Sequence, residues 1–149
     1  MIMKSTWMVL GVAAALAVTC AIGLTQGQQR QPKKKALTFV PADKATFKEV
    51  VPGVSKAVLW GDHDKGPYGA FTKFVPGFDA GMHTHTNDVW IVVLKGAYLY
   101  KDEAGEKRVG PGDFIRIPGR HKHWSGGDAR EGALFYEESS GKFDLVPTK

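Results

Sequence analysis

The chain has 149 residues, a formal net charge of +5 and a single cysteine. Setting aside an apolar N-terminal stretch leaves roughly 120 residues to fold, which is enough for one domain and excludes a second. Cys20 lies inside that stretch, so the folded part has neither a disulfide nor a thiolate metal ligand. Much of the basic excess is concentrated in Arg30, Lys33, Lys34 and Lys35, while Lys101, Asp102, Glu103, Glu106, Lys107 and Arg108 mix both signs. A single-sign groove for a phosphate backbone is therefore excluded, and no nucleic-acid partner is expected.

Lys4 precedes an uncharged apolar run over residues 7–18, followed by small residues and then by the polar stretch 25–30. This is the three-part layout of a secretory signal, with cleavage expected after Gly23, where Ala21 and Gly23 fit a small-x-small rule, or nearer Gly27. An uncleaved membrane anchor fits less well, because the cluster from Arg30 to Lys35 would then lie on the far side of the bilayer. A lipoprotein fits least, since residues 17–20 lack the leucine and the small residue that should precede Cys20. The expected organisation is a signal peptide or anchor at 1–23, a flexible basic linker at 24–36 and a β-barrel domain at 37–149. The expected location is periplasmic or extracellular, with membrane contact only through an uncleaved N-terminus.

From Leu37 onward, Gly, Pro and Asp clusters punctuate the chain at short intervals. Between them lie runs rich in β-branched and aromatic residues at 57–60, 69–75, 89–94, 97–100, 114–117 and 133–136. The spacing predicts an all-β sandwich or barrel, and no run outside the signal is both long and periodic enough for a helix.

All five histidines fall between positions 63 and 123. In an extended strand, residues two apart share a face, so His83-Thr84-His85 presents two imidazoles in one direction, a spacing that suits a metal. His-x-His alone is a weak signal. Its surroundings strengthen it: Gly77 stands six residues before His83, the run 89–94 leads into Lys95-Gly96, and a hairpin later come Gly112, Pro118 and His123.

This pattern resembles the two motifs of the cupin superfamily, with Gly77, His83, His85 and Gly96 matching the first and Gly112, Pro118 and His123 the second. The resemblance covers roughly residues 77–127 and implies a cupin-type double-stranded β-helix, or jelly-roll barrel, of the RmlC-like kind. It implies that His83, His85 and His123 bind one divalent transition metal (Fe, Zn, Ni, Mn or Cu), and that the chain forms a homodimer. Three positions depart from the motifs: Val89 stands where the first motif has Glu, Arg120 replaces a Gly, and Gly127 replaces an Asn. Strand parity turns Asp88 away from the histidine face unless the strand bulges. The ligand set is thus three histidines with water, or the same three joined by Asp88 or His121.

Parity also places Ile91 and Val93 inside, below the histidines, and Asn87 is a candidate hydrogen-bond partner for one of them. Trp90, Trp124 and the aromatics of the strands are expected mainly as packing. Arg116, Arg120 and Lys73 are candidates for a substrate carboxylate, although solvated surface charge is the plainer expectation for each. One of Glu137 and Glu138 should point inward, with a hydrated sheet edge as the default for both, and His63 is expected to be exposed. No general base stands out; Asp88, Tyr98 or Glu137 serves only if the fold brings it within reach. The functional expectation is an exported metalloenzyme of oxygenase or isomerase type acting on a small organic substrate, the alternative being a non-catalytic module that senses or carries a small ligand or metal.

Overall fold

Short β-prone runs separated by glycine and proline turns can bury one face each only by pairing antiparallel with their neighbours. In the computed structural model, which describes residues 36–149, they do so in eleven strands. The expected signal segment and all of the linker before Ala36 lie outside the described residues. The strands are β1 (Lys48–Val51), β2 (Val54–Gly61), β3 (Tyr68–Phe74), β4 (Asp79–Thr84), β5 (Val89–Gly96), β6 (Tyr98–Asp102), β7 (Gly105–Val109), β8 (Phe114–Ile117), β9 (His123–Gly127), β10 (Ala133–Ser139) and β11 (Val146–Pro147). Apart from them, the described residues hold one short 3₁₀ turn at Ala42–Lys44, and no helix among them is long and apolar enough to cross a membrane.

Two antiparallel sheets result, ordered β1-β2-β3-β10-β5-β8 and β11-β4-β9-β6-β7. Alternation follows the pleat. In β5 the buried side chains are Val89, Ile91 and Val93, and in β10 they are Ala133, Phe135, Glu137 and Ser139. The apolar core joins Val89, Ile91 and Val93 to Tyr98, Tyr100, Val109, Ile117, Ala133 and Phe135, with Phe74 and Ile115 packed against it. Phe74, Tyr98 and Phe135 pack with ring centroids 5.0 to 5.7 Å apart, so one end of the interior is filled by aromatic rings. The other end is polar, and the functional residues collect there.

Two expectations need correction. Strand β10 lies between β3 and β5, so Glu137 stands on a central strand and is buried, not on a hydrated edge. His63 is half-buried and packs edge-on against the Tyr68 ring at 6.1 Å, because residues 62–67 fold back over the end of β3.

Gly96 ends β5 with a φ of +70°, and an added Cβ would lie 2.3 Å from the carbonyl oxygen of Gly132. Left-handed strain and a backbone clash act together there. Gly96→Ala should therefore lower stability by about 2 kcal/mol or more. Gly105→Ala, at positive φ but in open space, should cost only about 1 kcal/mol. Urea unfolding midpoints of the two variants measure the contrast; equal losses would remove the role given to the Gly96–Gly132 approach.

Candidate metal centre

His83 lies near the end of β4 and His123 opens β9, and the antiparallel register sets them directly opposite each other. His85 follows the last residue of β4 and keeps its two-residue spacing from His83. Their ring centroids are 4.3 Å (His83 to His123), 4.9 Å (His83 to His85) and 5.3 Å (His85 to His123) apart. One ring nitrogen of each lies within 4.8 Å of the others. His83 and His123 are fully buried, and His85 is half-buried at the mouth.

Hydrogen bonding fixes which nitrogens face one another. Nδ1 of His83 lies 2.8 Å from the Gly81 carbonyl oxygen, Nδ1 of His85 lies 2.6 Å from that of Asp144, and Nδ1 of His123 lies 3.0 Å from that of His121. A carbonyl can only accept, so each Nδ1 carries the proton and each neutral ring keeps its lone pair on Nε2. Nε2 of His123 is buried without any hydrogen-bond partner. Burial holds the His83 imidazole below its ordinary pKa and takes His123 down to about 4, so both rings are neutral near pH 7. Oriented imidazoles with free Nε2 lone pairs in a largely buried pocket are the form that ligates metals, and the three residues fit such an ion.

The two candidates for a fourth ligand are engaged elsewhere. Asp88 Oδ2 accepts from Arg116 Nε and Nη2 at 3.2 and 2.6 Å, and its Oδ1 accepts from the Gly119 amide at 2.8 Å. The carboxylate thus pins the loop before β9 to the start of β5, and Arg116 is tied up with it. His121 Nε2 lies 3.0 Å from Asp102 Oδ2, which also accepts from the Tyr100 hydroxyl at 2.7 Å. Those bonds, from Tyr100 first and then His121, hold the Asp102 carboxyl at about 2. Val89 is buried in the core.

The other motif departures have local explanations. Arg120 takes the left-handed backbone of the glycine it replaces, with φ of 63°, and its amide donates to the His85 carbonyl at 2.6 Å. An added Cβ at Gly127 would lie 2.9 Å from the Val75 carbonyl oxygen, which leaves no room for an asparagine. Asn87 bonds no histidine; its Nδ2 donates to the Lys142 carbonyl at 3.2 Å. Lys73 sits over the Phe47 ring, its Nζ 3.6 Å from the centroid.

The C-terminal segment closes the mouth, which the sequence pattern did not suggest. Beyond β10, the Phe143 amide donates to the His63 carbonyl at 2.7 Å, the Thr86 amide donates to Asp144 Oδ1 at 2.8 Å, and β11 pairs with β4. Phe143 and Leu145 then line a cavity shared by His83, His85, Ile91, Lys56 and Glu137, and only about 30 Å³ remains between them. Lys56, Phe143 and Asp144 were missed as site residues. Only Lys56 left a trace: it is two residues from Val54 in a strand and so faces the same way.

The fold is that of the RmlC-like cupins. It resembles KdgF from a Halomonas species (TM-score 0.59, 23% identity, covering 72% of this chain and 97% of that one). It also resembles the polyketide cyclase RemF from Streptomyces resistomycificus (TM-score 0.64, 18% identity, 76% and 87%). An RmlC-like cupin from Shewanella frigidimarina is similar again (TM-score 0.56, 17% identity, 70% and 92%). The chain belongs to the DUF4437 family, a domain of unknown function, which matches residues 44–149. No curated protein sequence matches it.

Because both Asp88 oxygens are occupied by Arg116 and Gly119, Asp88→Asn should leave metal stoichiometry unchanged while loosening the loop before β9. Metal analysis, with hydrogen exchange at Gly119, checks both halves; loss of metal from this variant would make Asp88 a ligand after all.

Proposed function

We propose that the protein binds one divalent transition metal (Fe, Zn, Ni, Mn or Cu) through His83, His85 and His123, and uses it on a small organic substrate in a reaction of oxygenase or isomerase type. The observation that carries this reading is the set of Nε2 lone pairs aimed into one space, with that of His123 buried and unpartnered. Leaving a buried polar atom unsatisfied costs on the order of 1–3 kcal/mol, and a bound ion removes that cost. When bound, such an ion supplies Lewis-acid polarisation of a substrate oxygen or a binding position for O2.

The chain's own residues orient the imidazoles through Gly81, His121 and Asp144, exclude water with Phe143 and Leu145, and supply apolar walls through Ile91 and Phe135. The enzymes among the similar folds, such as the polyketide cyclase, are in keeping with small-molecule chemistry, although likeness of fold alone fixes no reaction. Export belongs to the same proposal and is supported by the layout of residues 1–30. A homodimer does too: Trp60, Leu94 and Phe114 are exposed on the six-stranded sheet and leave apolar surface for it.

The small volume of the cavity favours a second reading, a closed metal-binding or sensor module that turns nothing over. Under the enzymatic reading, residues 141–149 move aside to admit substrate.

Elemental analysis should find about one metal per chain, lost from a His83→Ala/His123→Ala double variant that still folds. An absence of metal after incubation with Fe(II), Zn(II), Ni(II) and Mn(II) would end the metal reading. Intact mass of protein recovered from the periplasmic fraction tests export, with a mature N-terminus expected at or near Leu24.

A further inference from the structure

Residues 140–148 run back along the segment that carries two of the three histidines. Ser140 and Asp88 bond twice, the Ser140 amide donating to the Asp88 carbonyl and the Asp88 amide to Ser140 Oγ, each at 3.1 Å. Asn87 Nδ2 donates to the Lys142 carbonyl at 3.2 Å, and the Thr86 amide donates to Asp144 Oδ1 at 2.8 Å. His85 Nδ1 lies 2.6 Å from the Asp144 carbonyl oxygen. Beyond it, β11 sets Val146 against Thr84 and Pro147 against His83, and the Thr148 amide donates to the Met82 carbonyl at 2.9 Å. The C-terminus is thus a strap fastened antiparallel along residues 82–88, with Phe143 and Leu145 lining the histidine cavity.

This strap can leave without opening the core. Strand β11 is the edge of its sheet, and none of the described residues after Ser139 is fully buried. A segment held by a few peripheral hydrogen bonds belongs to the least stable part of a fold. Its departure reaches one histidine only. The rings of His83 and His123 bond the carbonyls of Gly81 and His121, which stay in place. His85 stands just beyond the end of β4, and its backbone carbonyl is held by the Arg120 amide at 2.6 Å. Among the described residues, the one hydrogen bond of its ring goes to the strap. Undocking therefore leaves the backbone of His85 where it is and frees the ring to rotate and to carry its proton on either nitrogen.

We infer that the strap is a switch on the metal centre, presenting three imidazoles when docked and two when undocked, so that strap docking and metal binding strengthen each other through His85. This deepens the metal-site reading and rests on it. The link is the position of one proton. Ligation at Nε2 leaves Nδ1 as the nitrogen that holds the ring proton, and Nδ1–H is the donor that the Asp144 carbonyl needs. A coupling that acts in one direction acts equally in the other. Asp144 is the positioning residue: its carbonyl holds the ring, and its side chain, bonded to the Thr86 amide, holds that carbonyl in place.

The test uses the full chain with Zn(II) alone as probe. Affinity measured against a chromophoric chelator should fall about 10- to 100-fold in Asp144→Ala, while Asp144→Asn, which keeps an oxygen for the Thr86 amide, should stay within about twofold of the parent. Zn(II) should in turn slow hydrogen exchange at the Phe143 and Thr148 amides. In metal-free protein labelled with 15N-histidine, Asp144→Ala should shift the ring nitrogens of His85 and leave those of His83 and His123 unchanged, a pattern that general destabilisation would not give. A second variant ending at Gly141 removes the strap outright and should show the same one-ring pattern with the larger loss of affinity. Parent affinity in both Asp144→Ala and the shortened chain, or strap amides that exchange at one rate with and without Zn(II), would overturn the coupling and leave the three-histidine site standing. Asparagine as weak as alanine would overturn the role given to the Asp144 side chain. A parent that binds no Zn(II) fails the metal reading and the coupling with it, and the metal-free spectra then decide separately whether the strap orients His85.

Discussion

Three backbone carbonyls, those of Gly81, His121 and Asp144, determine what the interior of this barrel can do. Each accepts from the Nδ1 of one histidine, and in doing so sets that ring's tautomer and its rotation about χ2. Two of the bonds are local, from residues 83 and 123 to carbonyls two positions earlier, and form whenever β4 and β9 do. The third spans 59 residues, from His85 to Asp144, and forms only when the C-terminal segment is in place. The orientation of the outermost imidazole is therefore coupled to the segment that closes the cavity. Displacing that segment releases His85 while leaving His83 and His123 held.

The absence of a carboxylate at position 89 changes the electrostatics of the site. Three neutral imidazoles bring no charge, so a divalent ion bound there keeps its full charge in a pocket walled by Ile91, Phe135 and Phe143. The carboxylate that this interior does contain is Glu137, registered against Ile91, two residues along β5 from Val89. It is neutralised by Lys56 and hydrogen-bonded by Tyr68 and Thr72, in place of any contact with the histidines.

The β class and the alternation of β5 could be read from sequence because they depend on neighbours in the chain. So could the shared face of His83 and His85 and the outward turn of Asp88. The parity argument that buried Ile91 and Val93 also turned Asp88 toward Arg116. His123 could not be found that way: its place opposite His83 follows from a β4–β9 register spanning 40 residues and came only through the family resemblance. β4 was read only through His83-Thr84-His85, and β9 was not among the predicted runs, because Gly81, Gly126 and Gly127 thin out the β-branched pattern. The Lys56–Glu137 pair joins residues 81 apart, and residues 140–149 have no period at all, so neither leaves a local signature.

The cost of the Lys56–Glu137 pair argues that it is more than packing. Burying two charges costs several kcal/mol per ion, and replacing such a pair with apolar side chains of similar volume is often neutral or stabilising. Desolvation is the largest influence on both groups: it pulls the ammonium down, while on the carboxyl it is outweighed by Lys56 and by the hydroxyls of Tyr68 and Thr72, so Glu137 stays ionised. The remainder of this barrel's interior shows that apolar filling was available, since Val93, Ile117 and Phe135 occupy inward positions on neighbouring strands without difficulty. A sheet that buries valine, isoleucine and phenylalanine at adjacent positions but holds an ion pair at the wall of the histidine cavity keeps a fixed dipole at that wall. Stability alone gives no reason to put it there; electrostatic preorganisation toward a bound molecule does.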